Sequence, residues 1–86
     1  MDRHELLNRI TFNPAIFGGK AIIRGHRLAV QHVLEMLAAG DTPEGLVEEY
    51  EWLELEDVRA CLLYASTVVG NEYFMPLLTT SETAGR

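Results

Sequence analysis

Cysteine is nearly absent from this sequence: Cys61 is the only one among 86 residues. A single thiol excludes an internal disulfide and suits a reducing compartment. Its place on the apolar side of an expected helix marks it as a small buried hydrophobe rather than a nucleophile. Long apolar runs are missing too. No stretch approaches the roughly 20 residues a membrane span requires, and Met1-Asp2-Arg3-His4-Glu5 does not have the form of a signal peptide. The expectation is a cytoplasmic protein with no membrane partner. Site-forming clusters are equally scarce. His4, His26 and His32 share no ligand-like spacing with each other or with Cys61, so no metal is expected. Ser66 and Thr67 have no base nearby in sequence, and Gly18-Gly19-Lys20 is followed by Ala21 where a phosphate loop needs Ser or Thr. With no convergent polar groups there is no catalytic residue to name, and no enzyme, cofactor or small-molecule substrate is expected.

Cations are the next shortage, seven Lys and Arg against thirteen Asp and Glu, for a net charge of −6. They are unevenly spread. Residues 1–34 hold five cations against two acids, net +3, whereas residues 35–86 hold two against eleven, net −9. One cationic end thus remains available to phosphate, while the acidic end suits a basic protein. At 86 residues the chain is one domain that buries only about 60–65% of its unfolded surface, so a second copy or a partner would add stability.

What is present is organised around Phe17-Gly18-Gly19-Lys20-Ala21-Ile22-Ile23-Arg24-Gly25-His26-Arg27-Leu28-Ala29-Val30. Glycines punctuate it, and Ala21–Ile23 and Leu28–Val30 have the length of strands. With Ile10–Phe12 ahead of the Asn13-Pro14 turn signal, residues 10–29 are expected to form a small N-terminal β element. Two readings of it stay open: a hairpin that covers one end of a helical core, or a cationic loop whose Lys20, Arg24 and Arg27 meet an anion.

From Val30 the period becomes helical. Val30, Val33, Leu34 and Leu37 form one stripe, and Gly40 ends it. Thr42-Pro43-Glu44 opens a second helix with a cap, a proline at the first turn and an acid at the positive dipole end. Gly45 weakens that helix by about 1 kcal/mol relative to alanine. Trp52-Leu53 is expected to plug the core, and a third helix starts near Leu55 behind a poor cap, Glu54. Its expected core stripe is Val58, Cys61, Leu62, Ala65 and Val69, with Leu63 and Tyr64 turned away as a partner surface. Gly70-Asn71 ends it. In the tail 71–86, Tyr73, Phe74, Met75, Leu77 and Leu78 are too apolar to be idle and are expected to dock on the core, a second protomer or another protein; the polar end beyond them is expected to be disordered. Three helices with short connections match a helix-turn-helix, so residues 1–70 are expected to form a single, mainly α domain.

The run Ile10-Thr11-Phe12-Asn13-Pro14, Ile16, Gly18-Gly19-Lys20, Ile23-Arg24-Gly25 and Arg27-Leu28 resembles the opening motif of the small prokaryotic family called domain of unknown function 433. The resemblance continues through Val33-Leu34, Leu37-Ala38-Ala39-Gly40, Thr42-Pro43-Glu44, Tyr50 and Leu55-Glu56-Asp57-Val58-Arg59-Ala60, roughly residues 9–65. Ala21 and Ala29 stand where that family usually has prolines, His26 where it has threonine, and Glu54 where a capping threonine is usual. The resemblance implies a three-helix homeodomain-like bundle and the antitoxin half of a type II toxin–antitoxin pair with a PIN-like ribonuclease toxin.

Two functional classes follow. A DNA-binding dimer would use Lys20, Arg24, His26, Arg27 and Arg59, because a third helix that begins Glu54-Leu55-Glu56-Asp57 presents carboxylates to phosphate. A homodimeric protein-interaction module would use Leu63, Tyr64 and the apolar residues of the tail to bind its toxin or another copy.

Overall fold

The computed structural model describes residues 1–71; the expectations for Tyr73, Phe74, Met75, Leu77 and Leu78 lie outside the described residues. The fold is mainly α, with four helices and a two-stranded antiparallel ribbon among the described residues. The chain starts with a five-residue helix, α1 (Arg3–Leu7), opened by a reciprocal cap. Glu5 N–H donates to Asp2 Oδ1 at 2.8 Å and Asp2 N–H to Glu5 Oε1 at 3.0 Å.

Strand β1 (Ile10–Phe12) pairs with β2 (Ala21–Ile23), Ile10 opposite Ile23 and Phe12 opposite Ala21. After β2 the chain reverses through Arg24 (φ 45°) and Gly25 (φ 76°), and His26 N–H donates to Ile23 O at 2.8 Å. Two positive φ values in succession make a type I′ turn, which matches strand twist and wants glycine or asparagine. Arg24 is neither, and the left-handed conformation costs it about 1–2 kcal/mol, so something else must hold it there. Leu28–Val30 is a correction to the expected second strand. Only Ala29 bridges back, to Ile22, and Val30 already belongs to helix α2 (Val30–Ala38), whose core stripe claims its side chain.

Helix α2 buries Val30 and Val33, and Gly40 (φ 110°) ends it: Asp41 N–H reaches back to Met36 O at 3.0 Å. Helix α3 (Pro43–Glu49) starts as its sequence dictates, with Gly45 N–H on Thr42 Oγ1 at 3.0 Å, and buries Leu46. Helix α4 (Leu55–Gly70) is the hub, packed against α1, α2, α3 and β1. Ile23, Leu28, Val33, Leu46, Leu53, Val58, Ala60 and Cys61 form the centre of the core. Among the described residues no helix is long and apolar enough to cross a membrane.

The rotation of α4 differs from expectation. Its buried residues are Asp57, Val58, Ala60 and Cys61, while Leu62 and Val69, expected inside, are 49% and 65% exposed. Leu63 and Tyr64, expected outside, are half-buried and pack on the core. The cause is Asp57, which two arginines draw inward and which turns the helix with it.

Candidate functional site

Asp57 is the one fully buried charged residue among the described residues, at 0% exposure. It stands in the first turn of α4, where its Oδ2 accepts the Glu54 N–H at 2.9 Å and so caps the helix from within. Arg24 grips it with both arms of the guanidinium, Nε to Oδ1 at 2.9 Å and Nη2 to Oδ2 at 2.8 Å, and Nη2 also donates to Trp52 O at 2.8 Å. Arg9, from the bend before β1, adds Nη1 to Oδ1 at 2.9 Å and to Glu54 Oε1 at 2.7 Å. Burial alone would push the Asp57 carboxyl up. The hydrogen bonds from Arg24, the Glu54 amide and Arg9 outweigh that and hold it below the usual carboxylate range. The Glu54 and Asp57 carboxylates in turn raise Arg9 and Arg24, Glu54 being the larger influence on Arg9 and Asp57 on Arg24. The two arginines and two acids neutralise one another, and bidentate pairing of this kind fixes geometry as well as charge.

Trp52 covers the cluster. His26 stacks on its ring at 3.8 Å between centroids and 3° between planes, and Arg24 Cζ lies 5.7 Å from the Trp52 ring centroid. The turn at Arg24-Gly25 is thereby held by an ion pair, a carbonyl and an indole, which accounts for a left-handed arginine.

The expectation of one free cationic surface needs correction. Lys20 and Arg24 stand at opposite ends of β2. Arg24 is committed to Asp57 at the start of α4, whereas Lys20 donates to Gln31 Oε1 at 2.8 Å beside the far end of that helix. His26 is half-buried against Trp52; Arg27 and Arg59 are exposed and form no ion pair among the described residues. Asp57 likewise does not face a polyanion, because it is inside. Sequence reasoning missed Arg9 and put Asp57 on the surface. The available signal was the spacing Leu53, Asp57, Ala60, Cys61, Tyr64, a helical stripe with one acid in an otherwise core position.

The second feature is apolar. A groove of about 410 Å³ runs between β2, α2 and the last turns of α4, lined by Ala21, Val30, Leu34, Tyr64, Val68 and Val69, with Lys20 and Gln31 at its rim. Phe12, 59% exposed, extends it by an edge-tilted contact with Tyr64 at 6.3 Å. No group of His, Cys, Asp or Glu among the described residues could hold a metal ion.

A small α-rich domain whose two-stranded ribbon is pinned to the start of its longest helix by a buried carboxylate is the class that fold and site define. The chain belongs to the family described as "Protein of unknown function (DUF433)", whose pattern matches residues 10–65. That span contains the ribbon, the Arg24–Asp57 pair, Trp52 and α4 as far as Ala65. The chain is also similar to "Uncharacterized protein y4eO" of Sinorhizobium fredii (strain NBRC 101917 / NGR234), 36% identical over 56 residues, which is 65% of this chain and 25% of the relative. The chain therefore spans about a quarter of that relative's length. No solved structure matches it.

Proposed function

We propose that the chain is an antitoxin-like cytoplasmic regulator of a type II toxin–antitoxin pair, and that it works chiefly through protein contacts as a homodimeric interaction module. The observation that carries this reading is the apolar surface that the described residues leave uncovered at the groove, on a domain that spends Arg9 and Arg24 of its cationic front on internal acids. In this reading α3 and α4 are the helix-turn-helix pair of a homeodomain-like fold. The body supplies the dimer, and Tyr73, Phe74, Met75, Leu77 and Leu78, outside the described residues, cover the cleft of a PIN-like ribonuclease. Co-expression with the product of the adjacent gene tests it. A stable complex that suppresses the partner's RNA cleavage is expected, weakened when Phe74 and Leu77 become serine. A neighbour that neither binds nor cleaves RNA overturns the toxin–antitoxin assignment.

A second reading, operator binding, is favoured by the exposure of Lys20, Arg27 and Arg59. It is opposed by the start of α4, where a recognition helix would meet the major groove with Glu54 and Glu56. Its test is a shift assay on the upstream DNA across a salt series. Lys20→Ala with Arg27→Ala should flatten the slope of log K against log salt by about one unit per lost phosphate contact. An unchanged slope removes these two side chains from any DNA interface.

A further inference from the structure

We propose that the apolar face left open by the second half of α4 is the seat of a second copy of this chain, the two α4 helices meeting face to face across a two-fold axis. The inference rests on the homodimer of the reading above and names the surface that makes it.

Residues 62–69, Leu-Leu-Tyr-Ala-Ser-Thr-Val-Val, carry no charge, and only Ser66 and Thr67 are strongly polar. A helix that is apolar on nearly every side is one that ends up buried, yet Leu62, Val68 and Val69 are 49%, 52% and 65% exposed. Leu55, Val58, Leu62, Ala65 and Val69 recur at alternating spacings of three and four, the seam pattern of paired helices. The domain's own core consumes Val58, whereas among the described residues Leu62 and Val69 of the seam stay exposed and Ala65 is half-buried. Small Ala65 in its middle lets two such helices approach closely.

Charge selects the occupant. The chain carries thirteen acids, but none lies between Val58 and Asn71. Two copies that each bear a net charge of −6 meet no acid-to-acid repulsion across this stretch of the helix. The face offers a nucleic acid or an anionic membrane only Lys20 at the groove rim and Arg59 one turn before Leu62, and offers a basic protein no carboxylate. An identical apolar face is the best match, and a ridge beside a groove on the same helix satisfies the rule that each copy gives what it receives. The footprint is that of a short helix pair with its groove, which belongs at the small end of stable interfaces, so the association should be reversible.

Sedimentation equilibrium on the full chain decides it. The expected result is a concentration-dependent dimer, and a monomer for Leu62→Glu with Val69→Glu, whose helical circular dichroism stays that of the wild type because both positions are exposed. A second variant, Glu44→Lys with Glu48→Lys on α3, should still dimerise. Wild-type chain that stays monomeric at high micromolar concentration overturns the proposal, and so does a dimer that survives the paired glutamates. A monomer that still binds and silences the neighbouring gene's product sinks the dimer surface alone; a dimer with no such partner sinks the antitoxin reading alone.

Discussion

Arg24 and Asp57, 33 positions apart in the chain, are joined by two parallel hydrogen bonds of 2.9 and 2.8 Å. One end of the pair is a turn residue with φ of 45° and the other is a fully buried carboxylate. Each explains the other. The left-handed turn aims the guanidinium at α4, and the carboxylate offsets the cost of that turn while setting the rotation of the helix. What exposed apolar surface α4 presents follows from this rotation, so the ion pair and the open groove are two consequences of one arrangement.

Arg24→Ala should therefore damage stability before it touches any anion binding. It strips two of the four donors from a buried carboxylate, and truncation of one partner of such a pair costs about 3–5 kcal/mol when burial is complete. The Arg24 side chain is 34% exposed and Arg9 remains, so about 2 kcal/mol is expected. Urea unfolding, followed by Trp52 fluorescence, measures it. Arg24→Lys should recover only part, because an ammonium cannot make the two-pronged contact. Stability within experimental error of wild type for Arg24→Ala would show that the pair merely decorates the fold.

Acid should unfold the protein through the same carboxyl. Asp57 has a lower pKa folded than unfolded. Its contribution is complete above the unfolded value of roughly 4 and is lost as pH falls through the depressed folded value. Thermal melts from neutral pH downward should show wild type losing its advantage over Asp57→Asn in that acid window, with the gap flat above it. A gap independent of pH would mean that Asp57 acts by shape rather than by charge.

Much of this fold could be read from the residues themselves. Val30, Val33, Leu34 and Leu37 announced α2, and Thr42-Pro43-Glu44 announced α3 with its cap, because periodicity and capping are local. The failures share a cause. Asp57 reads locally as one more surface acid at the start of a helix, since nothing local says that Arg9 and Arg24 arrive from 48 and 33 positions away. Without that contact the apolar residues alone set the expected stripe of α4, which places Leu62 and Val69 inside. The cations suffered likewise: Lys20, Arg24 and Arg27 are close in sequence, but a three-residue strand separates the first two and an acid from another helix claims the second.

Cys61 gives an independent check on the core. Burial, assisted by the nearby negative charge of Asp57, pushes its thiol up to about 12. The native protein should react with a thiol-directed disulfide reagent only at the rate set by opening of the structure. Adding urea should speed labelling in proportion to the unfolded fraction, and Arg24→Ala should speed it without urea. Prompt labelling of the native protein would contradict the packing of α4 against the ribbon.

Gly45 sets helix propensity against a cap. Alanine in a helix interior gains about 1 kcal/mol over glycine, and by that count Gly45→Ala should stabilise α3. Its methyl group, however, would lie 3.1 Å from Thr42 Oγ1, the oxygen that caps the helix. Displacing that hydroxyl costs about 0.5–2 kcal/mol, so the two effects should nearly cancel and the single variant should fall within about 0.5 kcal/mol of wild type. With the hydroxyl removed first, in Thr42→Ala, the same Gly45→Ala change should yield its full gain of about 1 kcal/mol. A double-mutant cycle on urea midpoints reads the difference directly. Equal effects in the two backgrounds would mean that the Thr42 side chain turns aside freely and that Gly45 has no close neighbour to respect.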